Sequence, residues 1–531
     1  MRHLLVKFLS VLLALSWLGV AATPAETALH RGNGSEPETL DPHKSTGEAE
    51  SWIEMDLFEG LVTADAQGQV IPGAALAWTI SPDRLTCTFT LRPDGKWSDG
   101  TPVTAGDFVF SWRRLVSPDT RSRYAFFLWP VKNAEAISKG RMPATALGAE
   151  AVDDLTLRVT LEAPTSYFIA SLQHHATYAV SQANVKRFGD DFIRPGNLVS
   201  NGAFMLAEAV PQGHVKLVRN PHFHAAGDVA LDAVYFYPTE NRDAELKRFR
   251  AGELDITYDI PDGQIAWTRQ NMPGQMRLAP FFSTYWFVYN LRNEPWKSSP
   301  QLRAALSMAI DRQLIVDKIT QAGEIAAYTV TPPGTDNYKA PLPDWASLTQ
   351  AERDDRARAL LAEAGYGPGG RPLEVELLYN TSENHRKIAI AIDSMWRQKL
   401  GVRARLVNQE WKVLLQNRAE GRFRDVVRGG WIGDYNDAYS FLSLFLSDVK
   451  GQNHAGYASP DFDRLVKAAA SEIDPRARRS LMERAEAQLL ADHVVIPVYV
   501  HVTTHMVSDR VRGWHDNVRN LHLSRYLSVE R

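Results

Sequence analysis

The chain is nearly free of cysteine. Cys87 is the only one in 531 residues, which excludes an intrachain disulfide and leaves apolar cores to hold the fold. It alternates with its neighbours in Leu85-Thr86-Cys87-Thr88-Phe89-Thr90-Leu91, the pattern of a half-buried strand, and reads as a packed residue rather than a nucleophile. Long apolar runs are missing beyond the N-terminus, so a soluble mature chain is expected. Charge of one sign is also missing. A formal net charge of -3 offers no polycation for nucleic acid or an anionic membrane. There is no Gly-x-x-x-x-Gly-Lys-Ser/Thr loop, no Gly-x-Ser-x-Gly elbow and no His-Glu-x-x-His, which removes the commonest phosphate, acyl-transfer and zinc chemistries. His222-Phe223-His224 and His174-His175 have no Cys or carboxylate at ligand spacing, so no metal and no cofactor is expected. Internal repeats and low-complexity tracts are absent.

What is present is a long mixed chain. Its length exceeds one hydrophobic core and implies two or three domains. Arg2, His3 and Lys7 precede an apolar stretch over 9–20, followed by small residues. This is the pattern of a secretory signal over 1–25, with cleavage after Ala22 or Ala25 and no Cys for a lipid anchor. Alternation over 85–91 and 155–161, and the β-branched and aromatic runs 234–237 and 281–290, predict strands. Helical spacing predicts helices over 300–319, 349–364 and 384–400, with more within 461–491. The tract Trp97-Ser98-Asp99-Gly100-Thr101-Pro102 reads as a turn before a capped helix over 104–115. No obvious linker divides the chain, which implies lobes that interleave in sequence.

The most informative stretch is Arg428-Gly429-Gly430-Trp431-Ile432-Gly433-Asp434-Tyr435-Asn436. It sets one carboxylate among small and aromatic residues. The glycines allow close backbone approach, and Trp431 and Tyr435 offer apolar faces with polar tips. Asp434 fits a site for a small cation such as a peptide α-ammonium. It equally fits a capping Asp at a strand end.

Collinear motifs add a resemblance. Gly34-Ser35-Glu36, Leu40-Asp41-Pro42-His43-Lys44, Asp56-Leu57-Phe58-Glu59-Gly60-Leu61, Trp97 to Ala105, Asn201-Gly202-Ala203, Leu378-Tyr379-Asn380-Thr381-Ser382 and Asn408-Gln409-Glu410-Trp411-Lys412 occur in order. From about residue 30 onward the chain resembles the periplasmic oligopeptide-binding proteins of ABC importers, including the murein-peptide-binding branch. The resemblance implies a two-lobed α/β periplasmic binding fold of the class C type, with a hinge and an extra subdomain. Lobe I would comprise 26–58, 184–282 and 502–531, the subdomain 59–183 and lobe II 283–501. It implies a monomer that captures short peptides with free termini between its lobes and delivers them to the transmembrane subunits of a permease. Asp434 would take the ligand ammonium beside Tyr124. Arg428, Arg418 and His385 would receive its carboxylate, and Trp411 and Trp431 would wall side-chain pockets. Gly430, Ile432, Trp286, His501, Thr46 and Glu48 would complete the lining.

Several positions depart from the family pattern. Thr46 and Thr320 stand where an acid and a Lys are expected, and Glu48 replaces an apolar residue. His501 and Trp286 stand for Tyr, and Ser283 and Ile432 for a cysteine pair. They keep open a specialised ligand such as a murein tripeptide, a peptide antibiotic or a peptidyl nucleoside. An exported peptidase would need a nucleophile with a base, or a metal set, and neither is found. A holdase would need an exposed apolar surface.

Overall fold

The computed structural model describes residues 26–409, 411–449 and 451–530. The expected signal segment lies outside the described residues. No helix among them is long and apolar enough to cross a membrane.

Three main sheets organise the chain. The first orders Ala28–Gly32, Ala233–Tyr237, His214–Arg219 and Phe204–Val210, with the first pair parallel and the others antiparallel. The second is antiparallel, in the order Ala75–Ile80, Thr86–Leu91, Thr156–Thr160, Ala149–Asp153. Cys87 is buried in it, and burial pushes its thiol up to about 11, far from a reactive thiolate. One continuous apolar core, containing Leu29, Phe89, Trp112 and Phe204, lies across both sheets.

The third sheet is six-stranded and mixed. Its order is Ile325–Ala326, Val495–Met506, Met276–Tyr289, Val426–Ile432, Glu374–Asn380, Arg403–Gln409. Both of its faces are covered, which explains why 285–289, Tyr-Trp-Phe-Val-Tyr, is hydrophobic at consecutive rather than alternate positions. Tyr285, Phe287 and Tyr289 enter one core, while Trp286 and Val288 enter the other. Met276–Tyr289 and Val495–Met506 are the longest strands and pair along their length. Their register breaks between Pro280 and Thr284, opposite His501.

Most helices follow local chemistry. Thr349 and Glu352 form a capping box at Gln350–Glu363, and Thr104 with Asp107 forms another at Ala105–Val116. The 461–491 region forms Pro460–Ser471 and Pro475–Ala491, divided where Asp474 caps the second. The expectation of one helix over 300–319 is corrected. The chain forms Pro300–Met308, then Arg312–Leu314 and a π-helical turn over Ile315–Thr320. Asp311 caps the Leu314 N–H at 2.9 Å and starts a new element. The buried Arg312 guanidinium donates to the carbonyls of Ser307, Ala327 and Pro497, and holds the break in place.

Candidate ligand-binding site

The 426–432 strand carries the site. Its pairing with Met276–Tyr289 sets Ser283 opposite Ile432, Thr284 opposite Trp431 and Tyr285 opposite Gly430. On the other edge, Glu374–Asn380 pairs only at Val426 and Val427. Beyond Val427 that edge has no strand neighbour among the described residues, so from Gly429 to Ile432 it is open to an extended ligand. The glycines serve the opposite side. A Cβ on Gly429 would meet the Trp286 indole at 2.6 Å, one on Gly430 the Thr284 carbonyl at 3.0 Å, and one on Gly433 the Phe282 ring at 2.1 Å. They let the strand lie close against its partner.

Beyond one end of this strand stands an anion. Asp434 is partly buried, and its carboxylate accepts no hydrogen bond among the described residues. Burial pushes it up to about 6, partly offset by Arg519. The capping alternative falls to a neighbour, since Asp437 accepts the Tyr439 N–H at 2.8 Å and pairs with Arg478. Trp431 is tied through its indole N–H to Ser440 Oγ at 3.2 Å, and the Asp434 N–H donates to the same hydroxyl. Asp434 lines a cavity of 620 Å³ with Trp431 and Tyr435 on one side and Tyr167, Phe127 and Trp129 on the other. Tyr167 stacks on Tyr435 at 5.0 Å and on Tyr439 at 4.8 Å, joining those two walls. Burial and the Asp434 charge both raise the Tyr124 phenol. Its hydroxyl donates to the Thr46 carbonyl at 3.4 Å.

At the other end the charges reverse. Arg428 lies over the Tyr285 ring at 4.9 Å, and His385 Nδ1 is 3.3 Å from the Tyr285 hydroxyl. His501 Nδ1 is 3.0 Å from Ser283 Oγ. Arg418 is buried and donates to the Arg428 carbonyl at 3.2 Å. These groups repel one another. Burial and then Arg428 push both His385 and His501 down to about 4, and Arg418 to about 10. A cluster of this kind is stabilised by an incoming carboxylate, which Arg can grip bidentately.

Other expected residues are placed differently. Trp286 is 3% exposed and packs on Phe441 and Phe445, so it supports the strand from beneath. Glu48 sits in a separate 210 Å³ cavity, accepting from the Tyr258 hydroxyl at 2.9 Å and from Asn520 at 3.3 Å. Thr320 donates to Glu324 at 2.8 Å. Ile432 is exposed. The Trp411 side chain lies outside the described residues. His224, in the His-x-His pair, lies 2.9 Å from Glu59. Sequence reasoning missed Arg519 and Tyr167. Arg519 is distant in sequence and carries no local signal, while Tyr167 looks like any surface tyrosine.

With this geometry in hand, comparison with known proteins is direct. Residues 69–453 match the family model of bacterial extracellular solute-binding proteins, family 5. The chain belongs to that family, whose two-lobed binding fold it has. Among relatives, the periplasmic oligopeptide-binding protein OppA of Salmonella typhimurium is 41% identical over 515 residues, covering 95% of this chain and 94% of its own. The structure is similar to the unliganded open form of the murein tripeptide binding protein MppA, with a TM-score of 0.89 and 38% identity over 95% of this chain and 98% of that one. Against OppA of Haemophilus influenzae in complex with the peptide RPPGFSPFR, the TM-score is 0.74 at 35% identity, over 96% and 99% of the chains.

Proposed function

We propose that the protein is the exported, periplasmic peptide-capture subunit of an ABC importer, acting as a monomer and breaking no bond in its ligand. The observation that carries this reading is the pairing of opposite charges at the two ends of one strand with an unpaired edge. An extended peptide would add along 428–432, its ammonium at Asp434 and its carboxylate among Arg428, Arg418 and His385. From Arg428 to Ile432 the strand rises about 13 Å, and side-chain reach at both ends then suits peptides of about two to five residues. We place the hinge at the register break between Pro280 and Thr284, where the two crossing strands lose regular pairing. Ligand held by both lobes would stabilise a closed state and exclude water, strengthening the terminal charge pairs. The family relationship and the peptide-bound relative support the reading.

Native mass spectrometry of the purified protein tests it. A ladder of bound masses matching mixed short peptides is expected. A single bound mass would point instead to a specialised peptide, in keeping with Thr46, Thr320 and the cation beside Asp434. An empty protein that also takes up no added tri- or tetrapeptide overturns the reading.

A further inference from the structure

Near the ammonium end of the site stands a cation, Arg519, whose charge Asp434 feels. Phe282 ties two segments together: its N–H donates to the Val518 carbonyl at 2.8 Å, and its carbonyl accepts from the Gly433 N–H at 2.8 Å. Arg519 and Asp434 are the residues that follow Val518 and Gly433. Each is thus one residue away from the same anchor, beside the break in the crossing strands. The 517–521 loop is held from within. Asn517 Oδ1 accepts from the N–H groups of Arg519 and Leu521 at 3.2 and 3.1 Å, and its amide donates to the Leu521 carbonyl at 2.8 Å. The backbone that carries the Arg519 side chain is thereby held in place.

Arg519 and Asp434 feel each other's charge, but no hydrogen bond or ion pair joins their side chains among the described residues. Arg519 Nη1 is buried and makes no hydrogen bond there. A buried guanidinium nitrogen in that state calls for an explanation, and a ligand acceptor supplies one. The neighbouring side chains do not provide it. Burial holds His174 neutral with its Nδ1 accepting from the Ala176 N–H, and Tyr178, which donates to the Gln173 carbonyl at 3.0 Å, makes no hydrogen bond with Arg519 among the described residues. Glu162, which also lines the cavity, is exposed to water, accepts from the Asn133 N–H and forms no ion pair with Arg519 among the described residues.

The charge count then decides. Empty, the pair Asp434 and Arg519 is neutral. A peptide ammonium placed on Asp434 leaves one positive charge in excess within a partly buried site, where such an excess is costly. A ligand carboxylate close to its own ammonium removes it. Building on the peptide-capture reading, we infer that Arg519 is a specificity determinant, favouring peptides with a carboxylate side chain at the first or second residue.

Calorimetric titration with two isosteric pairs tests this: Ala-Glu-Ala against Ala-Gln-Ala, and Asp-Ala-Ala against Asn-Ala-Ala. In the natural protein at least one acidic peptide should bind about tenfold tighter than its amide partner. Arg519→Gln should erase that difference by weakening the acidic peptide alone, and Arg519→Lys should retain part of it, with unchanged thermal unfolding confirming both folds. Equal affinities within both pairs overturn the inference, as does a preference that survives Arg519→Gln. An equal loss for acid and amide would make Arg519 a structural support and also overturn it. If none of the four peptides binds the natural protein, the peptide-capture reading itself fails, which separates the two failures.

Discussion

The two ends of the site are built on opposite plans. At the anionic end the partly buried Asp434 carboxylate raises the Tyr124 phenol and feels the charge of Arg519 in the C-terminal segment. Three distant parts of the chain must come together there. At the cationic end Arg428, Arg418, His385 and His501 all belong to the large sheet and its helices. Burial, and then the Arg428 charge, depress the proton affinity of Arg418, His385 and His501. One end is thus assembled from three separate segments of the chain, whereas the other is assembled on one sheet and its helices. In the peptide-capture reading, one anion sets a starting point for the ligand, and several alternative cations would accept the far terminus at different distances, so that one cleft takes more than one length.

The sharpest way to break this contrast is Asp434→Ala. It leaves a bound ammonium without its partner, and calorimetry should show a loss of about 2–5 kcal/mol, roughly 30-fold to several thousand-fold in Kd. A loss below about threefold would remove Asp434 from the role. Arg428→Ala should cost less, about 1–2 kcal/mol, because Arg418 and His385 remain. If it costs as much as Asp434→Ala, the cationic end is not redundant.

Protonation offers a finer test, since the two ends couple to pH with opposite sign. The Asp434 carboxyl, at about 6 in the empty site, must ionise to hold an ammonium, so binding releases protons near that pH. Affinity should fall as pH drops below about 6, by up to about tenfold per unit. His385 and His501, at about 4, are raised by a ligand carboxylate and take protons up. Titrations in buffers of different ionisation enthalpy should therefore show net release around pH 6 in the natural protein. The release should be absent from Asp434→Asn, while uptake at pH 4–5 remains.

The same carboxyl sharpens the comparison through stability. Its pKa is higher folded than unfolded, so the folded chain holds a proton that the unfolded chain gives up. The associated stability is complete below the ordinary carboxylate value and is lost as pH rises through about 6. At pH 7 the ligand-free Asp434→Asn variant should therefore be more stable than the natural protein, by about 1–2 kcal/mol in denaturant titration, with no gain at pH 4. Last and smallest, His385→Ala should weaken some peptide lengths by about 1 kcal/mol and spare others. Equal loss at every length would mean that His385 does not read length.

Much of this was legible from local pattern. Period-2 alternation marks the strand around Cys87, and capping residues locate Gln350–Glu363 and Ala105–Val116 to within a residue or two. The glycine-rich approach to Asp434 singles out a carboxylate that lines a cavity with aromatic residues. Local pattern failed where a distant partner intervened. Helical spacing runs unbroken over 300–319, yet the buried Arg312 fork draws carbonyls from Ala327 and Pro497 and the helix stops. Trp286 resembles a binding aromatic, but the strand's alternation turns it into the core beneath Gly429. Glu48 is bound by Tyr258 and Asn520.

Taken by itself, the sequence determined the elements, the mixed fold class, the absence of a disulfide and the residue types able to receive both ends of a peptide. Those properties follow from periodicity, capping and side-chain chemistry, each felt within a few residues. Only the tertiary structure decided which edge of the 426–432 strand is unpaired, that the cationic side chains cluster, and that Arg519 stands beside Asp434. Such pairings depend on strand register and on one backbone anchor, Phe282, joining segments far apart in the chain, and no local signal carries that information.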